Sequence, residues 1–221
     1  MGNKNVKWWD PDKIIKDLIW NDLISASKYA KGRMLDIGCG NKPYYEIFKN
    51  KVDIHIGIDK FSECADIKED FFKAKIRNNN YDTILCTQVI EHVENPQELL
   101  IKMNRILKRK GILIMTIPFI GSLHEVPTDY FRFTKYSIDK LLTKAGFEIK
   151  YIKEEGNWIS SISNLTCFYL ESTLNRFFLK YPKKVLLLMV QYFSYIVAFL
   201  PSRITKPDLC PINYIVVANK K

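Results

Sequence analysis

The chain has 221 residues, 47% of them hydrophobic and 13% aromatic, and a formal net charge of +10. That length and apolar content are enough for one substantial core with an elaboration, and they exclude a disordered or collagen-like chain. The charge is uneven, with 24 basic and 20 acidic side chains in residues 1–149 but 10 and 4 in residues 150–221, so an anionic partner (nucleic acid, a phosphate-bearing molecule or an acidic membrane surface) stands against a plainly solvated face.

Residues 1–9 contain no apolar core of signal-peptide length, and Val6 stands where a myristoylation signal needs Ser or Thr. The five cysteines (39, 64, 86, 167 and 210) are odd in number and form no Cys-x-x-Cys pair, which predicts a reducing compartment with neither a disulfide frame nor a zinc site. A cytoplasmic protein is expected. Asp10-Pro11 caps a leading helix, in which Ile14, Ile15, Leu18, Ile19, Leu23 and Ile24 keep helical spacing. Arg33–Ile37, Asp53–Ile58, Tyr81–Cys86 and Ile112–Ile117 are short apolar runs suited to strands buried on both faces. Asn95-Pro96-Gln97-Glu98 supplies a cap, a first-turn proline and an acid at the third position for a helix through Leu107, with Lys108, Arg109 and Lys110 at its negative end. Thr134 caps a further helix, which Gly146 stops before a strand over Phe147–Ile152. Trp158–Leu179 has helical apolar spacing, and Pro211–Ala218 reads as a final strand. This alternation predicts an α/β fold with a doubly wound, mostly parallel sheet and a ligand at the carboxyl ends of its strands.

The most informative run is Met34-Leu35-Asp36-Ile37-Gly38-Cys39-Gly40-Asn41, which joins an apolar strand to a glycine turn and is followed by Gly57-Ile58-Asp59 at the next strand end. Glycines at 38 and 40 let the backbone approach a ligand closely, and Asp59 stands where a carboxylate takes ribose hydroxyls. A dinucleotide fingerprint needs a third small residue as the helix opens, and Lys42-Pro43 occupies that place instead. Cys39 reads as a small spacer facing the sheet.

Leu35-Asp36-Ile37-Gly38-Cys39-Gly40, followed in order by Ala65–Phe72, Tyr81–Val93 and Gly111–Pro118, resembles the class I S-adenosylmethionine-dependent methyltransferases over about residues 30–152. The resemblance implies a seven-stranded Rossmann-like sheet whose last strand is antiparallel, preceded by a helical insertion. It implies S-adenosyl-L-methionine as cofactor, no metal, and cofactor contacts from Asp36, Gly38, Cys39, Gly40, Asp59, Lys60, Asp70, Phe71, Gln88 and His92. The domains expected are a leading helical segment (1–32), a cofactor-binding core (33–152), a helical insertion (153–210) and the final strand (211–221).

Methyl transfer asks the protein to align the acceptor and, for a hydroxyl or amine, to remove a proton. In the loop Pro118–Thr134, His124 is a candidate base, with His92 a second. Asp129 and Arg132 either pair with one another or grip a polar substrate. Cys86-Thr87-Gln88-Val89 stands in place of Asn-Pro-Pro-Tyr, which argues against base-amino methyltransferases. The loop resembles that of methyltransferase-domain proteins associated with bacterial cell-surface saccharide pathways. The expected partner is a small-molecule methyl acceptor, with an RNA methyltransferase and a non-catalytic scaffold as alternatives. The run Lys183–Leu200 is too short and too polar at Gln191 and Ser194 for a spanning helix; it reads as a buried cap or homodimer helix, or as a peripheral contact with the inner membrane surface.

Overall fold

A computed structural model describes residues 7, 10–174, 185–186, 188–190, 192–193 and 209–221. These fall into two compact units. One holds Asp22–Pro118, Glu125–Lys153 and Ile215–Lys221; the other holds the described residues of Met1–Asn21, Phe119–His124 and Glu154–Tyr214.

Among the described residues the sheet has six strands, β1 (Arg33–Ile37), β2 (Ile54–Ile58), β3 (Tyr81–Thr87), β4 (Leu107–Pro118), β5 (Phe147–Glu155) and β6 (Asn213–Lys220), in the order β2-β1-β3-β4-β6-β5. β1 pairs in parallel with β2 (Asp36 opposite Gly57) and with β3 (Leu35 opposite Ile84), and β3 pairs in parallel with β4 (Leu85 opposite Ile114). β6 runs the other way. At its start Ile212 donates to Glu155 at the end of β5, and just past its end Lys221 donates to Gly146 ahead of β5. The Leu, Ile, Met and Val side chains of the central strands are buried, including Leu35, Ile84, Leu85, Leu113, Ile114, Val216 and Val217, as expected of a sheet covered on both faces.

The resemblance implies seven strands, and the described residues hold six. Between β2 and β3 the chain makes a single parallel bridge, Ile58 with Ile67. The reason lies in Asp66, whose Oδ2 takes the Gly57 N–H at 2.6 Å and the Lys42 ammonium at 2.5 Å, so a side chain occupies ladder positions that a strand would fill. A second difference concerns Lys108, Arg109 and Lys110. They lie in β4 rather than completing a helix end. Tyr81 faces Leu107 and Thr83 faces Ile112, which leaves residues 108–111 bulged between them, and the Lys108 ammonium binds both Asp82 oxygens at 2.9 and 2.8 Å.

The strands are accompanied by α1 (Lys13–Ala26), α2 (Tyr45–Phe48), α3 (Pro96–Ile106), α4 (Lys135–Lys144) and α5 (Trp158–Leu174). α3 begins as its sequence dictates, with Asn95 accepting from Glu98 N at 3.3 Å and Pro96 at the first position. Its buried stripe is Leu99, Leu100, Met103 and Ile106. Thr134 caps α4 through Ser137 N at 3.2 Å, and Gly146 follows at φ +85°. In the second unit, Asn157 starts α5 reciprocally: its Oδ1 accepts from Ile159 and Ser160 N, both at 3.1 Å, while Asn157 N donates to Ser160 Oγ at 2.7 Å. Within that unit Asn213 also hydrogen-bonds the buried Glu155. The run 183–200 lies largely outside the described residues. Among the described residues, no helix is long and apolar enough to cross a membrane.

Candidate active site

The loop after β1 is drawn against the end of β2. Gly38 and Cys39 N–H both donate to Ile58 O, at 2.9 and 3.3 Å, and Gly40 N–H donates to Asp59 Oδ2 at 3.0 Å. Gly38 and Gly40 hold φ of +66° and +49°, which favour glycine. A Cβ on Gly38 would meet Val89 Cγ2 at 2.4 Å, whereas one on Gly40 would meet nothing within 4 Å. The loop is therefore closed against protein at Gly38 and open at Gly40.

Asp59 is the hinge of this arrangement. Its Oδ1 accepts from Phe61 and Ser62 N, at 2.8 and 2.9 Å, and its Oδ2 from Gly40 N. A carboxylate offers about four lone-pair sites, so one acceptor position is left for a ligand hydroxyl.

A cavity of about 680 Å³ opens beyond the carboxyl ends of β1 and β2, within the sheet-bearing unit. Gly38, Asp59, Lys60, Asp70, Phe71 and His92 line it, while Asp36, Cys39, Gly40 and Gln88 stand outside its lining. Asp36 is buried beneath the loop, with Oδ2 3.1 Å from His55 Nε2 and Oδ1 without a hydrogen-bond partner. Burial pushes its carboxyl up, against the lowering effect of His55. Burial, then Asp36 and Asp59, pushes the Cys39 thiol up to about 12, which removes it as a nucleophile. Gln88, at φ +53°, is fastened to Thr116 through its backbone N–H at 3.0 Å and its side-chain amide at 3.2 Å.

The segment Glu125–Arg132 forms another wall. Tyr130 and Phe131 N–H donate to Glu91 O at 3.0 and 3.2 Å. The His92 ring places Nδ1 2.9 Å from Thr128 O, and its Nε2 lies 3.8 Å from a carboxylate oxygen of Glu91 and of Glu125. A carbonyl only accepts, so Nδ1 carries the proton and Nε2 is the acceptor nitrogen of the neutral ring. Asp129, buried, binds Arg132 through two bonds of 2.5 and 2.7 Å, and Arg132 also donates to Phe131 O at 2.9 Å. The pair thus braces the wall. His124 belongs to the other unit, with Nδ1 3.3 Å from Ser122 O.

Several further side chains shape the site. Glu91 is fully buried, and burial pushes its carboxyl up to about 8, with Arg132 opposing and Asp129 and Glu125 reinforcing. The lining also gathers Glu69, Glu94, Glu98 and Glu125, which with Asp59 and Asp70 make six carboxyl side chains against Lys60 and His92. Phe61 (84% exposed), Phe72 and Tyr130 present aromatic surface there.

Residues 15–164 match the family profile of a methyltransferase domain. The chain is 30% identical over 161 residues to an uncharacterized protein of Methanocaldococcus jannaschii, covering 68% of this chain and 75% of that one. It is 26% identical over 176 residues to a ubiquinone biosynthesis O-methyltransferase of Rickettsia bellii, covering 62% and 72%. Among solved structures it resembles the cyclase SpnF, with a TM-score of 0.62, 17% identity and 99% and 86% of the two chains covered. An S-adenosylmethionine-dependent methyltransferase from Mesorhizobium loti gives a TM-score of 0.58, 13% identity and 94% and 100% coverage.

Proposed function

Since the chain belongs to the methyltransferase-domain family and is an S-adenosylmethionine-dependent enzyme, we propose that it methylates a small-molecule acceptor, neutral or positively charged, in the acidic cavity. The observation that carries this reading is the lining itself, with six carboxyl side chains and the aromatic rings of Phe61, Phe71, Phe72 and Tyr130 around about 680 Å³.

The residues present fit the cofactor. The space over Gly40 is open, Asp59 keeps one acceptor position, and carboxylates suit a positively charged sulfonium. In this reading Gly38, Cys39 and Gly40 give backbone approach, Asp59 takes a ribose hydroxyl, and Asp70 and Phe71 hold the adenine edge and face with Lys60 beside them. Asp36 and Gln88 fix the loops beneath. The cofactor supplies an electrophilic methyl group. The chain orients the acceptor, excludes water and takes up the acceptor's proton, for which His92 and His124 are the two proposed bases. Asp129 and Arg132, bound to one another, hold the wall that carries Thr128 and Tyr130.

A neutral saccharide fits this lining better than a phosphate-bearing or nucleic-acid acceptor, which the carboxylates would repel. For run 183–200 the proposed role is a homodimer contact, which the exposure of Met189, Tyr192 and Phe193 supports better than a buried cap; vesicle pelleting lost on its deletion would assign it to a membrane surface instead.

The deciding experiment is a calorimetric titration with S-adenosylhomocysteine, followed by acceptor screening. Saturable binding with turnover on a neutral sugar or amine is expected. A folded sample that binds no S-adenosylhomocysteine overturns the reading, and salt-sensitive RNA methylation replaces the acceptor class.

A further inference from the structure

The sheet-bearing unit has a second concavity, of about 370 Å³, at the end of the sheet where β1 and β4 begin and β6 finishes. That is the end opposite the acidic cavity. Four separate stretches bring six cations to it: Lys31, Arg109, Lys110, Lys150, Lys220 and Lys221. Glu148 is the acidic side chain among its lining residues.

Among the described residues, none of these six cations pairs with a carboxylate. Lys220 donates to neutral acceptors, Asn79 Oδ1 at 2.8 Å and Leu107 O at 2.7 Å, and burial lowers its pKa. Lys150 lies 4.9 Å over the Tyr29 ring. The neighbouring Lys108 shows the contrast, since it is spent on Asp82. Converging like charges repel one another in the folded chain, and a multivalent anion seated among them would relieve that repulsion. The β4 bulge contributes two of the six, and it holds Lys110 at φ +59°, a conformation unfavourable to any residue but glycine. Asn219, another wall residue, leaves its Oδ1 buried and without a hydrogen bond, an acceptor that a ligand O–H would complete.

We infer that this concavity is a second ligand site, for a small phosphate compound carrying several negative charges, separate from the methyl-transfer site. A concave volume of this size suits a small molecule, whereas a membrane surface would need a flat or convex basic face. The site does not depend on the cofactor or on the acceptor proposed above.

The test is calorimetry with inorganic pyrophosphate on the full chain, beside the Arg109→Glu/Lys150→Glu double variant and anionic phosphatidylserine vesicles. Saturable one-to-one binding that weakens at least tenfold in the variant, while S-adenosylhomocysteine affinity is unchanged, is the expected result. Equal affinity in the two proteins, or no saturation, overturns the proposal. Vesicle binding without pyrophosphate binding also overturns it and reassigns the face to lipid. Should the charge reversals prevent folding, Lys31→Gln/Lys150→Gln repeats the test, with a smaller fold-loss expected and unchanged affinity again overturning the site.

Discussion

Asp59 Oδ2 accepts the Gly40 N–H at 3.0 Å, and this bond ties the glycine loop after β1 to the end of β2. With Phe61 and Ser62 N–H on Oδ1, the carboxylate organises two loops while keeping one acceptor position open. Asp59→Ala therefore removes a charged hydrogen-bond partner from a ligand and leaves three N–H groups to find other partners. A loss of roughly 1.5–3 kcal/mol in S-adenosylhomocysteine binding is expected, about 10- to 150-fold in Kd. An unchanged Kd would remove Asp59 from the ribose site.

Gly38 and Gly40 separate two effects that glycine loops usually mix. Gly38→Ala meets both a left-handed φ and Val89 Cγ2 at 2.4 Å, so folding stability should fall by roughly 2–4 kcal/mol. Gly40→Ala meets only the φ cost, about 1–2 kcal/mol, because its Cβ would enter open space. If that space receives the cofactor, Gly40→Ala loses more in S-adenosylhomocysteine affinity than in the urea midpoint. Equal, small effects on both would place the ligand elsewhere.

Features set by near neighbours in the chain were legible in the sequence. Asn95, Pro96 and Glu98 announce α3, and Thr134 announces α4, since a cap acts within one turn. The central strands were legible for the same local reason, as uninterrupted apolar runs. What the sequence hid depends on contacts between distant residues. Asp66 gathers Lys42 and the Gly57 N–H, from two earlier segments of the chain, onto one carboxylate oxygen. Gly38 and Asp59 line the cavity, while Asp36, in the same motif, lies beneath the loop with Oδ2 3.1 Å from His55 Nε2. The acidity of the site arises because Asp70, Glu94 and Glu125, from three distant segments, converge on one space. Asp129 and Arg132 were legible as a pair or as a substrate grip, and the two bonds between them show the pair formed.

Glu91 predicts a pH dependence with a definite sign. Its carboxyl is raised from the ordinary 4.5 to about 8 by burial, so below pH 4.5 folded and unfolded chains are both protonated. Between pH 4.5 and 8 the unfolded chain loses the proton and the folded chain keeps it, which costs stability at about 1.4 kcal/mol per pH unit. The contribution is fully present below pH 4.5 and lost as pH rises through 8, a few kcal/mol at most. Urea melts at pH 5 and pH 8 should show Glu91→Gln losing less stability than the parent over that interval. Parallel losses in the two proteins would mean that Glu91 is ionised in the fold.

The two histidines make separable predictions about proton removal. His92 lines the cavity, and Thr128 O fixes its tautomer with Nε2 as acceptor. His92→Ala should therefore lower kcat at least 100-fold if it is the base, consistent with the usual worth of general-base catalysis, and should also disturb S-adenosylhomocysteine binding because the ring is part of the wall. His124→Ala should lower kcat while leaving that affinity nearly intact, if the base is His124. His92→Asn tests the first reading more narrowly, since its amide nitrogen takes the place of Nδ1 and can still donate to Thr128 O but cannot take up a proton. Restored affinity with kcat still depressed in His92→Asn assigns proton removal to His92; full activity in both His92→Asn and His124→Ala means that the acceptor loses its proton without either ring.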